Sequence, residues 1–235
     1  MSLKSLVIIL TYNEENTIET VIKETKEILD PTKIIVIDAY STDNTIKIVQ
    51  DLGIEIIFID KMFGIGLAVE AGLLLAFNDN YDYLIRLDGD NQHTVSDVKK
   101  MFKEAAEKKY DLTIGSRFLD KSEYNPNLIR SFGINLLKNL INIFYKVRVS
   151  DCTSGCQIIS KKLISEIEKD ENFEYSEVGI ICKASKVKLS IAEKFVNMKP
   201  RMSGQSSFNF SNSFVYMFKN LLDLITSFSF NIKKK

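Results

Sequence analysis

The stretch Tyr83-Leu84-Ile85-Arg86-Leu87-Asp88-Gly89-Asp90-Asn91-Gln92-His93 runs from an apolar segment into two acids separated by one glycine. Strands covered by helices on both sides read as near-continuous apolar runs, so Asp82 to Leu87 is expected to be a strand that delivers Asp88 and Asp90 to the rim of a sheet. On an extended backbone rising about 3.3 Å per residue, the two carboxylates would point the same way from about 7 Å apart. They would repel by roughly 2 kcal/mol at an effective dielectric near 20. A hard divalent cation removes that penalty, and Mg²⁺ or Mn²⁺ takes one or two carboxylates plus substrate phosphates while keeping several waters. Taken alone, an Asp-Gly-Asp is also a solvated turn, so its surroundings decide between the two readings.

On either side of this segment, short β-branched runs alternate with helical patterns. Strands are expected at Ser5 to Leu10, Lys33 to Asp38, Ile54 to Ile59, Asp82 to Leu87 and Asp111 to Ile114. Helices are expected near Glu15 to Leu29, Asp43 to Leu52, Gly66 to Phe77 and Ser96 to Lys108. That alternation argues for a mainly parallel sheet between helices, an α/β fold. Ligands in such sheets gather beyond the carboxyl ends of the strands. Three of those ends carry polar clusters: Thr11-Tyr12-Asn13-Glu14-Glu15, Asp38-Ala39-Tyr40-Ser41-Thr42-Asp43, and the Asp88 segment. Asn13, Ser41, Thr42 and Asp43 also suit helix N-caps. Asp38 does not, because it lies directly at a strand end.

Beyond Ser116 a loop to Asn127 leads into a long helical stretch, Leu128 to Tyr145, and then a compact segment, Asp151-Cys152-Thr153-Ser154-Gly155-Cys156-Gln157. Two further helices and a strand (Lys188 to Val196) precede a Ser-rich loop. The last apolar segment, Phe214 to Phe230, ends in Lys233-Lys234-Lys235. Lys219, Asn220 and Asp223 interrupt it, so it reads as an amphipathic helix that lies on a membrane or packs on protein, not as a span.

With 235 residues the chain can bury a substantial core. Its 31 Lys and Arg balance 31 Asp and Glu, so no overall charge draws it to nucleic acid. Three cysteines form no disulfide framework, and one histidine argues against a Cys/His zinc site. The apolar run Leu6 to Leu10 is too short to span a membrane and lacks a small-residue cleavage site, so the catalytic body is expected in the cytosol. Gly64-Ile65-Gly66 with Gly72 lacks the spacing of a dinucleotide-binding loop.

In order, Thr11-Tyr12-Asn13-Glu14, Asp38 to Asp43, Gly64-x-Gly66, Asp88 to His93, Gly115-Ser116-Arg117 and Arg201-x-x-Gly204 resemble the inverting GT-A glycosyltransferases of the large family-two group. The branch they resemble most is that of the dolichol-phosphate mannose synthases and related polyprenyl-phosphate glycosyltransferases. The resemblance implies a GT-A type nucleotide-diphospho-sugar transferase domain over residues 1–212, followed by a C-terminal amphipathic helix and basic tail over 213–235. It implies that Thr11, Tyr12, Glu14 and Asp38 hold the donor nucleotide and that Asp88, Asp90 and Gln92 bind Mg²⁺ or Mn²⁺ on its diphosphate. Arg117, Arg130 and Arg201 would contact phosphates, a task suited to the guanidinium fork; surface ion pairing is the other reading of these arginines. Glu177, in Phe173-Glu174-Tyr175-Ser176-Glu177, corresponds to an acceptor-side acid. Where the family has a second acid and a glycine after Asp38, this chain has Ala39 and Tyr40, which leaves the base open.

The implied reaction moves a sugar, mannose or glucose among the candidates, from a nucleotide diphosphate sugar to a polyprenyl or dolichyl phosphate, with inversion. An ionised phosphate is already a nucleophile, whereas a hydroxyl acceptor would call on Glu177 or Asp90 as base. A soluble transferase acting on a carbohydrate or protein hydroxyl, and an inactive sugar-nucleotide binding protein, are the alternatives. The expected setting is the cytosolic face of a membrane, peripheral to it, with a membrane-protein partner as a further possibility.

Overall fold

The computed structural model describes residues 3–60, 62, 64–119, 128–170, 173 and 175–199. Among them, seven strands form one sheet: β1 (Ser5–Thr11), β2 (Lys33–Asp38), β3 (Glu55–Phe58), β4 (Tyr83–Asp88), β5 (Leu112–Ser116), β6 (Gln157–Ser160) and β7 (Ile191–Phe195). Their order is β3-β2-β1-β4-β6-β5-β7. β1 to β4 are mutually parallel, β6 runs antiparallel between β4 and β5, and β7 is parallel to β5. The helices are α1 (Ile18–Glu24), which continues as a π-helical turn (Thr25–Leu29), α2 (Thr45–Asp51), α3 (Gly64–Asn78), α4 (Val95–Lys108), α5 (Leu128–Tyr145), α6 (Lys161–Glu168) and α7 (Glu177–Lys186).

Strand side chains alternate between two faces, and both faces are covered. Leu6, Ile8 and Leu10 of β1 pack with α3, α5, α6 and α7, whereas Val7 and Ile9 pack with α1, α2 and α4. Fully burying one such aliphatic side chain contributes about 1.5–3 kcal/mol before chain entropy is counted. That is why a strand such as Leu6-Val7-Ile8-Ile9-Leu10 carries no polar position. The chain builds outward from β1 to β3 with α1 and α2 on one face. It then crosses back through α3 on the other face to β4, on the far side of β1. The strand order therefore reverses between β1 and β4, a switch point of the kind where open α/β sheets collect ligands.

Every strand and helix expected in the first half is present, with ends displaced by a few residues. β6 departs from expectation. Its four residues follow the compact Asp151 segment and run straight into α6, and a short apolar pair such as Ile158-Ile159 does not distinguish a strand from a buried helix start. Ser160, its last residue, caps α6 by accepting from Leu163 N at 3.3 Å. The expected C-terminal helix and basic tail, residues 213–235, and the Arg201-x-x-Gly204 loop lie outside the described residues. Among the described residues no helix is long and apolar enough to cross a membrane.

Candidate active site

Thr11 and Asp38, the last residues of β1 and β2, are register partners. Asp38 is buried, and its carboxylate accepts from Thr11 Oγ1 at 2.8 Å, from Ser41 Oγ at 2.6 Å and from Ser41 N at 2.7 Å. Ser41 Oγ in turn accepts from Asn13 N, and Asn13 Oδ1 accepts from Thr42 N, each at 2.8 Å. All four proposed capping residues thus tie the two strand-end loops together, Asp43 by accepting from Glu15 N at 3.2 Å; only Asp43 also serves a helix start, accepting from Thr45 N at 2.9 Å. Glu14 is buried beside Thr17, 3.3 Å from its hydroxyl, and Tyr12 is half-buried.

The acidic segment meets this cluster at the switch point. β4 stops at Asp88, and Gly89 and Asp90 form a turn, so the extended geometry expected of Asp88 and Asp90 gives way to a bend. The bend is pinned to β1 and α1: Gly89 N donates to Leu10 O at 2.9 Å, and Thr17 Oγ1 donates to Gly89 O at 2.8 Å. A Cβ on Gly89 would fall 2.6 Å from Thr11 Cγ2 and 3.3 Å from Leu10 O, so the approach needs glycine. Asp90 accepts from Gln92 N at 3.1 Å. Residues 91–94 are stitched to the segment after β7: Lys199 N donates to Gln92 O at 2.9 Å, Gln92 Nε2 to Lys199 O at 3.4 Å, and His93 bridges Met198. The Gln92 oxygen, the atom a hard cation would use, is not engaged by that amide contact.

Asp88 lies on the other sheet face from Thr11 and Asp38, with one third of its side chain exposed. Its oxygen is 3.5 Å from Nε2 of buried His93. Burial pushes the Asp88 carboxyl up, but the His93 hydrogen bond and the charges of Arg86, His93 and Arg117 outweigh it and hold the group below the usual carboxylate range. Beneath it, Arg86 and Glu177 form a buried ion pair at 2.6 Å, with Glu177 opening α7 behind its Ser176 cap. Arg117, just past β5, clasps buried Asp151 through Nε at 2.6 Å and Nη2 at 2.7 Å, and Nη2 also reaches Thr153 Oγ1 at 2.9 Å. Its fork is engaged by protein, and its charge acts on Asp88 from nearby. A Cβ at Gly155 would stand 2.9 Å from Asp88 Oδ2, so the compact segment is the floor under this acid. Cys152, Cys156 and Cys182 are free and buried; burial pushes the Cys152 and Cys182 thiols up to about 12.

Thr11, Glu14, Asp38, Asp88, Asp90, Gln92, Arg117 and Glu177 thus share one rim or the layer beneath it. The side chain of Arg130, on α5, and all of Arg201 lie outside the described residues. Sequence reasoning gave no role to Arg86, Asp151 or Gly155. The first had a signal: a lone charge inside an apolar strand needs a buried partner. Among the described residues no three His, Cys, Asp or Glu side chains gather for a cation. The donor set fits an ion that draws its remaining oxygens from substrate phosphates and water, as Mg²⁺ and Mn²⁺ do.

The family model for glycosyl transferase family 2 matches residues 6–168, which contain both strand-end clusters and the acidic turn. The chain belongs to glycosyl transferase family 2. Similar proteins include the UDP-N-acetylglucosamine–dolichyl-phosphate N-acetylglucosaminyltransferase of Methanococcus voltae, 28% identical over 80% of this chain and 82% of that protein. Another is the polyprenol monophosphomannose synthase of Mycolicibacterium smegmatis, 23% identical over 92% of this chain and 85% of that protein. Among solved structures, the glucosyl-3-phosphoglycerate synthase of Mycobacterium tuberculosis with Mn²⁺, UDP and phosphoglyceric acid superimposes with a TM-score of 0.71. At 15% identity, over 97% of this chain and 78% of that one, it shares the GT-A fold.

Proposed function

We propose that this family 2 enzyme transfers a sugar from a nucleotide diphosphate sugar to a polyprenyl or dolichyl phosphate, with inversion at the anomeric carbon. The observation that carries the reading is the placement of the Asp88 carboxylate at the switch point of the sheet, joined through the Gly89 turn to the Thr11–Asp38 cluster. In this reading Thr11, Tyr12, Glu14 and Asp38 hold the nucleotide. Asp88, Asp90 and the Gln92 oxygen hold a divalent cation on the diphosphate; when bound, Mg²⁺ or Mn²⁺ supplies Lewis-acid neutralisation of the leaving group. The ion pair of Arg86 with Glu177 and that of Arg117 with Asp151 keep charge fixed around Asp88 before substrate arrives, which is electrostatic preorganisation. Arg130 and Arg201 complete the proposed phosphate-binding set.

A phosphate acceptor suits the geometry better than a hydroxyl. The Glu177 carboxylate, the acceptor-side acid, is bound by the Arg86 guanidinium 2.6 Å away, whereas a hydroxyl needs a carboxylate within reach of its own proton. A phosphate oxyanion brings its own nucleophile. Residues 213–235, taken as an amphipathic helix with a basic tail, would rest on the cytosolic membrane surface beside the lipid acceptor. The test supplies radiolabelled nucleotide sugars to purified protein with membranes and Mg²⁺ or Mn²⁺. Label is expected in the organic-solvent-soluble lipid fraction from at least one donor. No incorporation from any donor overturns the reading.

A further inference from the structure

The row of rim residues does not end at Asp38. Phe58, the last residue of β3, is the register partner of Asp38, as Thr11 is on the opposite side. The three side chains therefore leave the same face of the sheet at its carboxyl end. Tyr40, two residues past Asp38, stacks on Phe58 with ring centroids 5.5 Å apart and planes 26° from parallel. Neither ring is buried: Tyr40 is 59% exposed and Phe58 43%. Tyr40 also holds a left-handed backbone, φ +56°, which is unfavourable for an aromatic residue and marks a position whose strain wants a reason. A stack that shields little apolar surface, on a backbone that favours glycine, contributes little to folding.

We propose that Tyr40 and Phe58 form the aromatic wall against which the base of the donor nucleotide lies. This rests on the nucleotide-sugar reading above and extends it to the base. A nucleobase is flat and presents a π-face whatever its hydrogen-bonding pattern, and aromatic side chains bind that face. The wall continues the Thr11–Asp38–Ser41 cluster sideways along the rim, away from Asp88 and Asp90. That places polar groups at the middle of the bound nucleotide, rings at one end and metal-binding acids at the other.

The experiment titrates the purified full chain, in Mn²⁺, with GDP, UDP, ADP and CDP and separately with inorganic pyrophosphate. It compares wild type with Tyr40→Ala, Tyr40→Gly, Tyr40→Phe and Phe58→Ala. For the nucleoside diphosphate that wild type binds, Kd is expected to rise at least about tenfold in both Tyr40 truncations and in Phe58→Ala. It is expected to stay within about twofold in Tyr40→Phe, which keeps the ring. Pyrophosphate affinity is expected to be unchanged throughout. Tyr40→Gly is expected to melt no lower than wild type, because glycine accepts the left-handed backbone, and this separates lost stacking from lost folding. Unchanged nucleotide affinity in the truncations, or an equal loss for pyrophosphate, overturns the wall. A wild-type chain that binds none of the four nucleotides overturns the nucleotide-sugar reading instead.

Discussion

The two faces of the sheet reach the same rim with different chemistry. On the α1 and α2 side, carboxylates meet uncharged donors: Asp38 accepts from Thr11 and Ser41, Asp43 from Glu15 N, and Glu15 from Asn44. On the α3 and α7 side, charge meets charge in Arg86 with Glu177 and Arg117 with Asp151, and His93 stands beside Asp88. Buried ion pairs are weak sources of stability, since replacing both partners by apolar residues is often neutral or favourable. Among the described residues these buried ion pairs lie on the α3 and α7 side, which suits a proposed division of labour, with the Thr11–Asp38 side shaped for a nucleoside and the other setting the field for a diphosphate and its cation.

Breaking the charged side should have the largest effect. Arg86→Met leaves the Glu177 carboxylate buried without its cation, and a loss of about 3–5 kcal/mol in urea unfolding is expected. On the α1 and α2 side, Asp38→Asn keeps a hydrogen-bonding group in place and should lose less, about 1–3 kcal/mol. Equal losses would erase the distinction between the faces. Asp90→Asn comes next, with turnover in the lipid-labelling assay expected to fall at least about a hundredfold. Its melting temperature should hold, because Asp90 lies in a turn beyond the strand; wild-type turnover would remove Asp90 from the cation site. Gly155→Ala pushes a methyl toward Asp88 and is expected to weaken Mn²⁺ binding about tenfold by electron paramagnetic resonance, roughly the effect of losing one well-placed ligand contact. Unaltered Mn²⁺ affinity would mean that the floor beneath Asp88 yields freely.

The smallest expected effect is a pH dependence. The Asp88 carboxyl is held below its ordinary value, so its ionised form favours the folded state. That contribution is fully present above the unfolded carboxylate pKa of about 4 and is lost as pH falls through the lower folded value. Comparing acid unfolding of wild type with Asp88→Asn should show a stability difference that is constant at neutral pH and shrinks only in this acid window. A difference that persisted unchanged below this window would remove the Asp88 carboxylate as its source.

The parallel half was legible because its signals are local: unbroken β-branched runs, helix-spaced apolar residues between them, and polar residues where each run stops. Asp38 stood out as a strand-end acid too early to be a cap, and it is the hub of its cluster. The opposite face was harder to read because its partners are distant. Arg86 and Glu177 are 91 positions apart and Arg117 and Asp151 are 34 apart, and no periodicity links them. β6 escaped for a related reason: what makes it a strand is the space between β4 and β5, a property of the folded sheet and not of Gln157-Ile158-Ile159-Ser160 itself.

The bridge between Gln92 and Lys199 bears on how the chain comes to life on the ribosome. Translation delivers both acids of the turn by Asp90, yet Gly155, Glu177 and the Lys199 clasp all follow later, the last 107 positions after the glutamine it meets. A nascent chain folding from its N-terminus therefore passes through a long interval with its acids made but their supports missing, and the acidic turn gains its last clasp only once Lys199 has been added.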